Sequence, residues 1–236
     1  FDPGRVTAIS TMLGVESRTL DWNYKYAFTA DAGAPTLGDF DFTRFTFECK
    51  ANRSFGSWRL NLRSLAGGIW SSGSIPSQER FTVSAAGSMD YFNRPYLSAE
   101  GALYGLPMSI QKHYHLPGDG NLRGYYDHGY TGVKGLVTTT TEISRALNFG
   151  KVGTLGARLF LDGGALWGDR FDEGLDDPGF NGNVLVDFGF GLDWSKRVFG
   201  ETLYLRVDLP FYVNEPKEDD SSIDFTRWVF SFQRGL

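Results

Sequence analysis

The chain has 236 residues, a net charge of −5 and no run of about 18 apolar residues, which excludes a helical membrane span and a basic nucleic-acid footprint. Its one cysteine, Cys49, excludes an internal disulfide. Neither the mean hydropathy of −0.27 nor the 30 glycines and 16% aromatics exclude a membrane barrel, because a barrel strand of about 9–11 residues is apolar only at alternate positions.

Alternation of apolar and polar residues predicts nine strands, at about 6–18, 23–31, 40–52, 57–70, 136–147, 153–166, 184–195, 201–213 and 226–235. In the first, Ile9, Leu13 and Val15 oppose Ser10 and Glu16, interrupted by Thr11 and Met12. The second sets Tyr24, Tyr26 and Phe28 against Lys25, Thr29 and Asp31. The third sets Phe45, Phe47 and Cys49 against Arg44, Thr46, Glu48 and Lys50. Then come Trp58, Leu60 and Leu62 against Arg59, Asn61 and Arg63, and Leu155, Ala157, Leu159 and Leu161 against Arg158, Phe160 and Asp162. Residues 184–194 put Val184, Val186, Phe188, Phe190, Leu192 and Trp194 on one face and Asp187, Gly189, Gly191 and Asp193 on the other. Leu203, Leu205, Val207, Leu209 and Phe211 share the next apolar face, against Thr202, Tyr204, Arg206 and Asp208. Trp228, Phe230 and Phe232 face one way at the end, against Ser231 and Gln233.

A soluble β-sandwich alternates as well. The connections favour the membrane. They are short near 52–57, 148–153 and 195–201 and long near 31–41, 71–135, 167–183 and 214–225, the pattern of short periplasmic turns and long outer loops. The fold class expected is therefore all-β, a transmembrane antiparallel β-barrel. Nine is an odd number, whereas single-chain bacterial barrels usually have an even one. The first segment is then not a strand, or strands lie upstream. Phe1 follows no methionine or basic-then-apolar leader, as after signal removal or a cut within a longer chain.

Segment 71–135 is too long for a hairpin loop. It contains His115-Leu-Pro-Gly-Asp-Gly-Asn-Leu-Arg-Gly-Tyr-Tyr126, with the tripeptide Arg123-Gly124-Tyr125. The next strand carries Thr140-Thr141-Glu142-Ile143, and the one after it Phe160, Asp162 and Gly164 in a Phe-x-Asp-x-Gly pattern. The chain ends Phe230-Ser-Phe232-Gln-Arg-Gly-Leu236. In order and spacing these four elements resemble the BamA and TamA superfamily of outer-membrane assembly barrels, the bacterial surface antigen family, over roughly residues 17–236.

That resemblance implies the C-terminal eight or nine strands of a sixteen-stranded barrel over residues 1–236, with 71–135 an inward-folding extracellular loop. It implies a loop lock of Arg123, Gly124 and Tyr125 against Glu142 and Asp162, whose places on the polar faces of neighbouring strands suit charge-assisted hydrogen bonds to an inward guanidinium. It makes Trp228, Phe230, Phe232 and Leu236 the seam and assembly signal. The implied function is insertion or translocation of outer-membrane or surface proteins in the bacterial outer membrane. Mechanistically, a weak seam would template a client strand by edge pairing. The implied partners are outer-membrane lipids and lipopolysaccharide, client barrel or surface proteins, and periplasmic accessory domains or lipoproteins, with no nucleic acid. Three features depart from the family: no polypeptide-transport domain or early strands lie within these residues, the last residue is Leu236 rather than Phe or Trp, and the loop has a long lead-in from Pro76 to Tyr114. Two rivals stay open: a barrel serving as anchor or export conduit of a larger fused enzyme, such as a patatin-like lipase or a peptidase, and a simple pore.

Other residues suggest no enzyme, metal or cofactor. His113 and His115 lack a third ligand at diagnostic spacing, His128 has no partner motif, and Gly118-Asp-Gly120 lacks the context of a phosphate loop. No nucleophile elbow occurs. Asp172, Glu173, Asp176 and Asp177, and Glu215, Glu218, Asp219 and Asp220, read as solvated outer-loop acids, with cation bridges to lipopolysaccharide as the sharper alternative. Cys49 reads as a small hydrophobe, and the six tryptophans fall mostly near strand ends, as in an interface girdle.

Overall fold

The computed structural model describes residues 7–19, 21–33, 36, 38–73, 75–76, 79–84, 119–126, 131–168, 184–198, 201–217 and 220–234. Its body is one antiparallel sheet of nine strands, and all nine coincide with segments expected from alternation. They are β1 (Ala8–Arg18), β2 (Trp22–Gly33), β3 (Phe42–Phe55), β4 (Trp58–Ser71), β7 (Gly135–Asn148), β8 (Thr154–Trp167), β9 (Val184–Val198), β10 (Glu201–Val213) and β11 (Val229–Arg234). Two short strands, β5 (Phe81–Thr82) and β6 (Thr131–Val133), pair separately within the long connection. The order in the large sheet is the order in the chain, so each strand pairs with the next one along. The sheet is not closed: β1 and β11 form its two edges. The irregular first segment is a strand after all, paired with β2 along its whole length.

The antiparallel meander sends every second connection to the same end. At one end lie the short links between β1 and β2, β3 and β4, β7 and β8, and β9 and β10, and at the other the longer ones. Gly56, at φ +59°, and Gly150, at φ +61°, take the left-handed backbone that two of these turns need.

The two faces differ in kind. On β8 the side chains of Leu155, Leu159 and Leu161 are exposed, at 44–51%, while Arg158, Phe160 and Asp162 are buried. On β9, Val184, Phe190 and Leu192 are exposed and Asp187 is fully buried. Aromatic rings pack along the exposed face, as in the Phe28–Phe45 stack and the Phe188–Phe211 edge contact. Trp22, Trp58, Trp70 and Trp167 stand at or next to strand ends.

Parts of the 72–134 connection lie on the polar face and form a core there. Phe81, Val83, Leu122, Tyr125 and Val133 cluster with Phe42, Leu65, Leu136, Leu166, Leu185 and Val213 of the sheet. Gly67 makes room for the Phe81 ring, since a Cβ there would come within 2.4 Å of it. Asp119 accepts from the Thr82 backbone N–H at 2.9 Å and pairs with Arg44 at 3.3 Å, tying the loop's return arm to its outgoing arm and to β3. Residues 85–118, which hold most of the lead-in together with His113 and His115, lie outside the described residues, as do His128, the acidic run 172–177, Glu218 and Asp219.

β10 keeps the expected faces from Thr202 to Phe211 and slips beyond them. A bulge between Leu209 and Tyr212 adds one residue, so Tyr212 opposes Phe188 and Val213 opposes Asp187. Pro210, which has no N–H for the ladder, sits in the bulge. Phe211 keeps its place against Phe188 and Phe190, while Val213 turns to the polar face and is fully buried.

Candidate functional site: a buried arginine on the polar face

The loop returns over the sheet through Asn121, whose φ of 56° is a left-handed conformation that asparagine tolerates. A single 3-10 turn, Arg123–Tyr125, follows, with all three residues buried. It lies on β9 and β10. Gly124 is required there: a Cβ would stand 2.6 Å from both the Asp187 Cβ and the Val213 Cγ1.

Arg123 is fully buried and uses its whole fork. Nε and Nη2 donate to the two oxygens of Asp162, each at 2.7 Å, a bidentate pair. Nη1 donates to Glu142 Oε1 at 2.6 Å and reaches Asp208 Oδ2 at 3.5 Å. The guanidinium lies 3.6 Å from the centroid of the Phe160 ring, a close cation–π contact. Burial opposes the charge, but Asp162, Glu142 and Asp208 outweigh it, so the guanidinium is held above its ordinary pKa. Tyr125 is the second anchor. Its hydroxyl donates to Asn214 Oδ1 at 2.6 Å and accepts from the Val186 N–H at 3.2 Å. Burial, and then the charge of Asp187, push its pKa up.

The structure therefore brings together Arg123, Gly124, Tyr125, Glu142 and Asp162. It adds residues that the motif did not name. Arg206 donates to the same Glu142 oxygen at 2.7 Å and to Asp208 at 2.5 Å. Arg158 donates to Asp193 and to the Tyr204 hydroxyl. Asp187 stands directly opposite Asp162 in the β8–β9 ladder. Alternation alone places each of these on a polar face. What was missing was the register that puts Asp162 beside Asp187 and Gly191 beside Asp208. The far end of the chain contributes less. Trp228 precedes β11 and is exposed, and Phe230 opposes Val207. The side chain of Phe232 and the whole of Leu236 lie outside the described residues.

The network joins three arginines and five acids across β7, β8, β9 and β10. Glu142, Asp162, Asp193 and Asp208 are each engaged by a guanidinium group, while Asp187 stands against Asp162; no group of three or more His, Cys, Asp or Glu among the described residues is arranged to hold a metal ion. A charge cluster of this kind holds position: removing one member strands the others in a dry site. No family model matches this sequence, and no curated protein matches it.

Proposed function

We propose that this chain is the closing part of an outer-membrane β-barrel of the BamA and TamA type, which inserts or translocates outer-membrane or surface proteins. The observation that carries the membrane part is the inverted sheet. Leu159, Leu161, Phe190 and Leu192 stand exposed on one face, while Arg123, Asp162 and Asp208 are buried on the other. In water that arrangement loses the hydrophobic term that drives folding. Against lipid chains the exposed face is in its proper solvent, and β2, β3, β4, β7, β8, β9 and β10 each pair with a neighbour on both sides, as backbone in lipid requires. Tight turns would then face the periplasm and the long connections the outside.

The assembly part rests on the loop tip. The Arg123-Gly124-Tyr125 turn, seated on Glu142 and Asp162, is the constellation that the resemblance implies. Strand β11, one edge of the sheet, would be one side of the seam at which a client strand adds.

Reconstitution tests both parts. The chain, refolded with phospholipid vesicles, should float with them and should speed the folding of a client barrel added in urea. Arg123→Glu should abolish the acceleration. A chain that stays monomeric and soluble without detergent would sink the membrane reading. Conductance without any effect on client folding would leave a pore and sink the assembly reading.

A further inference from the structure

The apolar face carries a dent near its tight-turn end. Ala157 on β8 has Arg145 of β7 and Leu192 of β9 as its ladder partners. Its small side chain leaves a groove of about 720 Å³, rimmed by Ile143, Leu147, Leu155, Leu159 and Leu192. That volume falls in the range of about 300–1,000 Å³ typical of small-ligand sites.

Arg145 stands on the rim. Its side chain is exposed and its guanidinium lies 5.7 Å from the centroid of the Trp58 ring. Among the described residues no carboxylate lies within ion-pair reach of it. Two comparisons isolate it. Arg158 also borders the groove, but its guanidinium is engaged by Asp193 and Tyr204 on the polar face. Arg53, over the Trp22 ring on the same apolar face, is neutralised by Asp21 at 3.0 Å. Lys151, in the tight turn beside the groove, is a further exposed cation without an ion-pair partner among the described residues.

Resting on the membrane reading above, we propose that this groove binds one anionic glycerophospholipid, with an acyl chain over Ala157 and the phosphate at Arg145. The groove accounts for the chain, and an uncompensated guanidinium at its mouth, in reach of the headgroup layer, accounts for the anion. A neutral apolar partner would leave that charge unanswered.

Native mass spectrometry of the detergent-solubilised chain tests this with phosphatidylglycerol and phosphatidylcholine at equal concentration. The first phosphatidylglycerol adduct should dominate. Arg145→Gln should lower it about fivefold, the weight of one arginine at an anionic lipid surface, and leave the phosphatidylcholine adduct unchanged. Arg145→Lys should restore most of it. Ala157→Phe, which fills the groove, should lower both adducts. Equal adducts on the unaltered chain, or a preference that survives Arg145→Gln, would overturn the headgroup contact. Binding indifferent to Ala157→Phe would overturn the groove. A chain that floats with vesicles yet shows no preference defeats this proposal alone, whereas one that does not float defeats the membrane reading with it.

Discussion

Strand β8 presents two chemistries at neighbouring residues. Leu159 and Leu161 point to a face where no described residue covers them, and Phe160 and Asp162 point to one where the loop tip lies over them. On the membrane reading proposed above, the outer row is interchangeable, since any large apolar residue serves a fluid solvent. The inner row is not. Asp162 must meet a fork-shaped donor, Phe160 must lie flat beneath it, and Gly164 must leave space, because a Cβ there would stand 2.7 Å from Thr138. Specificity in this sheet sits on the polar face, and compatibility with the surroundings on the apolar one.

The contrast can be broken from either side. Arg123→Glu should have the largest effect. It places a fourth carboxylate among Glu142, Asp162 and Asp208, and loss of a buried pair costs about 3–5 kcal/mol even before the new repulsion. Urea unfolding in vesicles should show the loss, and trypsin should cut the released loop. Next comes Leu159→Arg on the apolar face, expected to cost about 2–4 kcal/mol in a bilayer. The paired control is Asn61→Arg on the opposite face. Asn61 is the ladder partner of Glu142, so this change should be close to neutral. Equal costs for the two would mean that the faces see the same medium. Gly124→Ala should cost about 1–3 kcal/mol by crowding Asp187 and Val213, read as a shifted urea midpoint. Tyr125→Phe should cost about 1 kcal/mol through the lost hydrogen bond to Asn214. The smallest change should be a gain. Asp187→Asn replaces a buried carboxyl facing Asp162 with an amide that can donate to it and should raise stability by a few tenths of a kcal/mol.

Much of this was legible in the sequence because a period of two is a local property. The strands, their faces and the ends at which they turn follow from neighbours in the chain. Thus Glu142 and Asp162 could be placed on one face, and Arg123 on a loop. The bulge at Pro210 was not legible, since the alternation of Leu209 and Phe211 continues across it and the slip shows only against β9. Nor was the membership of Arg206, Asp208 and Arg158 in the network. Those contacts depend on register across four strands, which no single strand encodes. Tyr125 and Asn214, 89 residues apart, meet for the same reason.

The span of the Arg123 contacts has a kinetic consequence. Each strand of the meander can zip onto its predecessor using local contacts alone. The guanidinium touches β7, β8 and β10 at once, so it finds its seat only when β7 to β10 are all present and in step. A slip of two residues in β8 would keep both of its faces yet carry Asp162 away from the fork and leave the arginine unanswered. The loop tip thus works as a checksum on the finished strands: it docks late, reads three of them together, and rejects a misregistered sheet that the strands themselves would tolerate.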